Sequence, residues 1–354
     1  MKKIRKSIVA TLALALVATP LLMTHSFAEE TDKLQEGLRV EVIAKGFQHQ
    51  FWKAVEAGVK KAGEEFNAEV NFQGPDNESA IAQQVEYLNA AIDLDPDAIC
   101  FAALDTKASL DSLKNAQEKG IPIVGFDSGV PDAPEGSVVA NASTDNYAAG
   151  ELAAEHLYEL IKDKVSDPAE TVRIGVVSQE SNSLSITQRT AGFIEKMAKL
   201  IGEDKVSIEG HESLAKPVEG AKVVIELGIP AEVKDADAAN VASAILEKED
   251  LIAVYGSNEF AANALITANE GLDRLGKDKV IAVGFDAGKK QLDAIRDGIF
   301  VGSITQNPVQ IGYQAVKLAV MAKSGVEVKD VDTGALWYTA ENMTDEDIAP
   351  CLYE

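Results

Sequence analysis

Two cysteines and four histidines leave this 354-residue chain few ways to hold a metal or build a nucleophile. Cys100 lies in the apolar run AICFAAL and reads as a small buried hydrophobe. Cys351 lies near the C-terminal end, and the sequence leaves open whether the two are bridged. The histidines show no HExxH or other metal-ligand spacing, no cysteine pair supports zinc, and no DxDxDG-like calcium loop is present, so no metal is expected. GxSxG is missing, which removes the nucleophile elbow. GxGxxG and GxxxxGK[ST] are missing from every strand–helix junction. The first junction reads KGFQHQFW, whose bulky side chains block the close backbone approach that a pyrophosphate needs. No nucleotide or other cofactor is expected.

Basic residues are also scarce, 33 against 57 acidic ones, for a formal charge of −24. Four of the basic residues and none of the acidic ones fall in the first 28 positions, leaving 29 against 57, or −28, for the remainder. Such a surface repels phosphate backbones and anionic lipid, which excludes nucleic acid as a partner. Long apolar runs are missing too. The run IVATLALALVA is too short to span a bilayer comfortably. It follows Lys2, Lys3, Arg5 and Lys6 and precedes Ser26-Phe27-Ala28, so residues 1–28 read as a signal peptide cleaved before Glu29. No cysteine near that point offers a lipid anchor. The expectation is a periplasmic or secreted protein.

What the chain does have is a strand–helix alternation that starts near residue 38. LRVEVIAKG, AEVNFQG, AICFAAL and IPIVGFD read as strands, separated by the helical patterns FWKAVEAGVKKAGEEFN, IAQQVEYLNAAIDL and LDSLKNAQEKG. The alternation restarts after NASTDN with YAAGELAAEHLYELI, VRIGVVS, ITQRTAGFIEKMAKL, KVVIELGI, NVASAILEKE, LIAVYG, EFAANALITANEG and VIAVGFD. Two such series imply an α/β fold of two Rossmann-like lobes, each a parallel sheet flanked by helices. Residues 202–220 fit least well and read as an irregular insertion in the second lobe.

Polar punctuation recurs through this pattern: VGFDSG (124–129), NASTDN (141–146), TQRTAGF (187–193), YGSNEF (255–260), VGFDAG (283–288) and SITQNPVQIGY (303–313). Ligands of open α/β sheets gather beyond the carboxyl ends of strands, so these segments predict one cleft assembled from two halves. Asp127 and Asp286 end the same phrase, Val-Gly-Phe-Asp; each reads either as a helix cap or turn residue or as half of a shared ligand site. His49 is either a loop residue beside the core aromatics Phe51 and Trp52 or part of a cleft wall. Acceptor-only carboxylates with the donor-rich Arg189, Asn258 and Gln306 suit the hydroxyls of a neutral polyol, and Phe51 and Trp52 suit the C–H faces of a ring.

With those residues in view, the stretch from about Leu38 to Lys329 resembles the periplasmic sugar-binding proteins of ABC transporters, in particular the ribose-binding-protein branch with its type I, two-lobed fold. The resemblance implies an N-terminal lobe of residues 38–143 plus 307–333 and a C-terminal lobe of 144–306 plus 334–354. A three-crossing hinge joins them near Asn141–Asp145, Gln306–Asn307 and Asp332–Leu336. It implies that His49 and Phe51 form a ligand wall with Trp52 as stacking neighbour, and that Asp127 gathers sugar hydroxyls. It places Thr144 at the first crossing, Arg189, Asn258 and Asp286 as polar ligands of the second lobe, and Gln306 at the second crossing.

Three departures bear on specificity. Ser128 stands where ribose binders often have arginine, His49 within Gln48-His49-Gln50 replaces an asparagine, and Glu180 falls where an apolar residue is common. Gln48, Ser128 and Glu180 therefore join the candidate set, and the sugar is a pentose, hexose, polyol or furanosyl signal rather than ribose by default. The implied protein is a monomeric carrier, not an enzyme, that closes on a sugar and delivers it to a membrane permease. The alternatives are a sensor that presents the sugar to a chemoreceptor or histidine kinase, or an exported sugar-modifying enzyme that uses the two aspartates. Sugar-responsive transcription regulators share the fold, but the leader occupies the place of their DNA-binding headpiece.

Overall fold

The computed structural model describes residues 34–47 and 49–354. The signal-peptide reading of residues 1–28 and the candidate Gln48 lie outside the described residues. Two sheets organise the rest. The first contains β1 (Arg39–Ile43), β2 (Glu69–Gln73), β3 (Ala98–Phe101), β4 (Ile123–Phe126), β5 (Val138–Ser143) and the short β12 (Val331–Asp332), in the order β12-β5-β4-β3-β1-β2. All its pairings are parallel. Helices α1 (Gln50–Glu65), α2 (Ile81–Asp93) and α3 (Leu110–Glu118) cross between these strands. The runs AICF and IVGF are buried throughout because helices cover both faces of the sheet.

The second sheet contains β6 (Val172–Val177), β7 (Val206–Glu209), β8 (Val223–Gly228), β9 (Leu251–Gly256), β10 (Ile281–Phe285), β11 (Gly302–Gln306) and β13 (Ala335–Tyr338), in the order β13-β11-β10-β9-β6-β8-β7. It is flanked by α4 (Asn146–Val165), α5 (Leu184–Ile201), α6 (Asp235–Leu246), α7 (Glu259–Leu272) and α8 (Lys289–Arg296). β13 pairs antiparallel with β11, where the returning chain closes the sheet edge, and the other named strands of this sheet pair in parallel.

The reading of residues 202–220 as irregular needs correction. Residues Val206–Glu209 are an edge strand paired in parallel with β8, and Ile208 bridges back to Lys216. Four residues between charged flanks carry too little periodicity to stand out, and only the neighbouring strand supplies their hydrogen-bond partners. The two cysteines are both free and buried, which answers the open question of a bridge.

The chain passes between the sheets three times. β5 belongs to the first sheet, but α4, which follows it, packs on α5 of the second. β11 belongs to the second sheet, and α9 (Pro308–Lys323) returns to pack on α1 of the first. β12 and β13 then lie in different sheets, three residues apart. Two close helix pairs fix these crossings. A β-carbon on Gly58 of α1 would stand 2.0 Å from the Val309 carbonyl of α9, and one on Gly312 of α9 would stand 2.1 Å from the Val55 carbonyl. In the second lobe, a β-carbon on Gly150 of α4 would stand 2.3 Å from the Arg189 carbonyl and one on Gly192 of α5 would stand 2.2 Å from the Tyr147 carbonyl. Only a bare α-carbon permits helices this close, and the second pair sets the height of Arg189.

Candidate functional site

Strand ends from both sheets converge on one enclosed space. Lys45 follows β1, Asp127 follows β4, Asn258 and Glu259 follow β9, Asp286 follows β10, and Gln306 ends β11. All of these line a common cavity with His49, Phe51 and Trp52 from the start of α1, Glu78 from the loop before α2, and Ser185, Ile186 and Arg189 from α5. Asp127 and Asp286 reach it by the same local geometry. Each continues the ladder by donating its N–H to the next strand, to the Ala142 carbonyl at 3.1 Å and the Ile304 carbonyl at 2.6 Å. Each then turns with a left-handed φ, 55° at Asp127 and 71° at Asp286. Aspartate tolerates that region better than most residues. The turn ends the strand and swings the carboxylate over its end.

The second-lobe side is rigidly tied. Arg189 donates from Nε to Asn146 Oδ1 at 2.7 Å and from a terminal nitrogen to Asp286 Oδ2 at 3.3 Å. Its guanidinium lies 3.9 Å from the centroid of the Phe285 ring, a stacking that its planar group permits. Asp286 also accepts from Gln306 Nε2 at 2.6 Å and from the Glu259 N–H at 3.2 Å. The donation to Asp286 fixes the orientation of the Gln306 amide, and its Oε1 has no hydrogen-bond partner among the described residues. Asn258 caps α7 by accepting the Ala261 N–H at 3.0 Å, and its amide donates to Gln179 Oε1 at 2.7 Å.

The first-lobe side is built around Glu78. It accepts from Trp52 Nε1 at 2.7 Å and lies 3.7 Å from both Lys45 Nζ and His49 Nε2. Lys45 stands also 3.7 Å from Asp127. Burial works against the Lys45 ammonium, but the Glu78, Asp127 and Glu180 carboxylates outweigh it and hold its pKa above the ordinary lysine value. Burial alone raises the pKa of Glu78; Lys45, His49 and the bonds from Trp52 and Gln179 reverse this and bring it down to about 2. Asp127 is pushed up by burial despite Lys45 and Arg189. Glu259 is pushed up to about 8 by burial and by Asp286, against the opposing N–H groups of Phe51 and Gln50.

The lobes touch across the cavity. Gln179 of the second lobe donates to Glu78 of the first at 2.9 Å, Lys45 donates to Ser185 Oγ at 3.4 Å, and the Ser185 N–H donates to Ser128 Oγ at 3.3 Å. The His49 ring meets Phe260 edge-on at 6.1 Å. The space enclosed at the centre is about 20 Å³, near the volume that holds one water. A sugar ring is many times larger than this space.

Among the sequence candidates, His49, Phe51, Trp52, Asp127, Arg189, Asn258, Asp286 and Gln306 lie on this cavity. Thr144 does not. Its hydroxyl donates to the Gly334 carbonyl at 3.2 Å, across two of the crossings, where the Asp145 and Gly334 N–H groups both donate to Asp332. Ser128 sits behind the wall as an acceptor for Ser185. Glu180 folds back on its own loop, accepting from the N–H groups of Asn182 and Ser183, and lines a separate outer groove. Sequence reasoning missed Lys45, Glu78, Ser185 and Glu259. Lys45 and Glu259 had a weaker signal, since they lie two and three residues beyond a buried strand whereas the aspartates follow theirs directly; Glu78, in the loop PDNES, had none. Among the described residues no group of three or more His, Cys, Asp or Glu side chains could hold a metal ion, and no helix is long and apolar enough to cross a membrane.

Comparison with known proteins places this geometry in context. The family model described as periplasmic binding protein domain matches residues 40–327. A ribose import binding protein of Bacillus subtilis is 24% identical over 319 residues, covering 88% of this chain and 91% of that protein. A solved structure from Brachyspira murdochii, titled as an ABC transporter, LacI family transcriptional regulator, superposes with a TM-score of 0.76 at 36% identity, covering 90% of this chain and 99% of the other. An ABC transporter solute-binding protein from Agrobacterium vitis with bound D-fucose superposes with a TM-score of 0.75 at 28% identity, covering 89% and 100%.

Proposed function

The chain belongs to the periplasmic binding protein family, and from that premise we propose that it captures a sugar or polyol between its lobes and delivers it to an ABC transporter permease. The observation that carries this reading is the pairing of Asp127 and Asp286 at equivalent strand ends of the two sheets, lining one cavity. Carboxylates there accept sugar hydroxyls, Arg189 and Gln306 stand beside them as donors, and the Phe51 and Trp52 rings offer apolar faces. The ligand-binding set is His49, Phe51, Trp52, Asp127, Arg189, Asn258, Asp286 and Gln306, extended by Lys45, Glu78 and Glu259.

The mechanism is hinge closure. The lobes are residues 38–143 plus 307–333 and residues 144–306 plus 334–354, and they pivot on the three crossings, where Thr144 and Asp332 tie the strands. A ligand that touches both lobes only when they are closed shifts the population toward the closed form. That form presents both rims to the permease, and no step of catalysis is required. Presentation to a chemoreceptor uses the same form. The family setting and the basic, then apolar leader support export to the periplasm with cleavage before Glu29.

Isothermal titration against pentoses, hexoses and polyols tests the reading, with small-angle scattering on the same samples. A binder at micromolar concentration that also compacts the protein is the expected result. Absence of any sugar binder sinks it, and conversion of the bound sugar during long incubation replaces it with an enzyme.

A further inference from the structure

Four carboxylates line the cavity, Glu78, Asp127, Glu259 and Asp286, against two fixed cations, Lys45 and Arg189. Their partners are unevenly shared. Glu78 has Lys45, Trp52 and Gln179; Asp286 has Arg189, Gln306 and a backbone N–H; Asp127 has Lys45 at 3.7 Å. Glu259 is 6% exposed, and among the described residues no cationic side chain forms an ion pair with it. Among the described residues its Oε2 has no hydrogen-bond partner, and the same holds for Asp127 Oδ2 and Gln306 Oε1, two further buried acceptors of this cavity. Lys290 lines a wider groove that His49 and Glu259 also border, and it is engaged there by Glu270 and Thr267.

Among the described residues Glu259 Oε2 and Gln306 Oε1 have no donor and Asp127 Oδ2 has only the Lys45 ammonium at 3.7 Å, so four carboxylates facing two cations ask for a ligand that brings both donors and positive charge. A neutral polyol brings donors but no charge, and an anionic sugar adds to the imbalance. We propose that the ligand is an amino sugar or amino polyol whose ammonium group is received by Glu259. This rests on the reading of the protein as a sugar carrier and narrows its substrate class. The high pKa of Glu259 fits a carboxyl that lacks a counterion until the ligand supplies one. An ammonium held between Glu259 and the neighbouring carboxylates is desolvated on closure, so its charge discriminates strongly against the uncharged analogue.

The test uses the full chain and matched sets of ligands: glucose, galactose and fructose; their derivatives with an amine replacing one hydroxyl; the N-acetyl forms of those amines; and the corresponding uronates. Titration calorimetry at pH 7 is expected to show one amine binding at least about tenfold more tightly than its parent sugar and its N-acetyl form, with no uronate binding. In Glu259→Gln the preference for that amine over its parent is expected to fall below about threefold, as it loses the carboxylate but keeps the shape. A parent sugar that binds as tightly as its amine overturns the inference and leaves the sugar-carrier reading standing. An amine preference that survives Glu259→Gln overturns the assignment to Glu259. Failure of every amine and every neutral sugar overturns the carrier reading and this inference with it.

Discussion

Asp127 and Asp286 occupy equivalent positions in two different sheets. Each follows Val-Gly-Phe at the end of a buried strand, donates its N–H to the strand beside it, and turns through a left-handed φ, 55° in one and 71° in the other. Their surroundings differ. Asp286 is the partner of Arg189, Gln306 and the first turn of α7, whereas Asp127 has, among the described residues, only Lys45 within ion-pair distance, and Lys45 also has Glu78.

That asymmetry predicts unequal effects of the same substitution. Asp286→Ala strands the buried Arg189 without a counterion and is expected to cost about 3–5 kcal/mol of stability. Asp127→Ala leaves Lys45 paired with Glu78 and is expected to cost under about 2 kcal/mol. Urea denaturation of both variants checks this, and equal losses contradict it.

Glu78 predicts a loss of stability in acid. Its pKa is held at about 2 in the fold against an ordinary 4.5. Its contribution is therefore complete above about pH 4.5 and disappears as the pH falls toward 2. Glu78→Gln is expected to be less stable than the parent by about 2–3 kcal/mol at pH 7, with the gap closing in acid. A gap independent of pH assigns the loss to packing instead.

Glu259 predicts the opposite sign. Its pKa of about 8 in the fold lies above the ordinary value of 4.5. The fold is therefore favoured most below about pH 4.5, and that advantage is lost as the pH rises toward 8. Without ligand, Glu259→Gln is expected to be more stable than the parent by about 1–3 kcal/mol at pH 8, and to match it near pH 4.5. Thermal unfolding of the two proteins across that range is the measurement.

Gly192 links the packing of a helix pair to the site. A methyl group there meets the Tyr147 carbonyl at 2.2 Å, so α5 must move away from α4 and carry Arg189 with it. Gly192→Ala is expected to destabilise by about 1–3 kcal/mol and to weaken ligand binding about tenfold or more. Gly271→Ala, in a helix with open space around its α-carbon, serves as the control and is expected to change neither by much.

The site was partly legible because one physical rule governs much of it. A polar residue directly after a buried apolar run marks a strand end, and strand ends of parallel sheets face ligands. The rule picked out Asp127, Asp286 and the segment that holds Asn258. Lys45 comes two residues after RVEVI and Glu259 three after LIAVYG, and a chain with 57 acidic and 33 basic residues places charges after many segments, so neither stood apart. Glu78 lies in a loop with no periodicity, and its role arises from residues far along the chain, Lys45, Trp52 and Gln179. The same distance hid β7, whose hydrogen bonds come from β8.

The sequence alone determined that the chain makes two α/β units with helices on both faces, because period, turn residues and apolar runs are local properties. It also showed that the glycine patterns of dinucleotide and phosphate-loop sites are missing from the strand–helix junctions, where those sites need them. Only the tertiary structure decided which charges are paired and which are not. Ion pairing depends on distances of a few ångströms between residues such as Glu78 and Gln179, 101 positions apart, and the burial that gives those distances their weight exists only once the lobes have met.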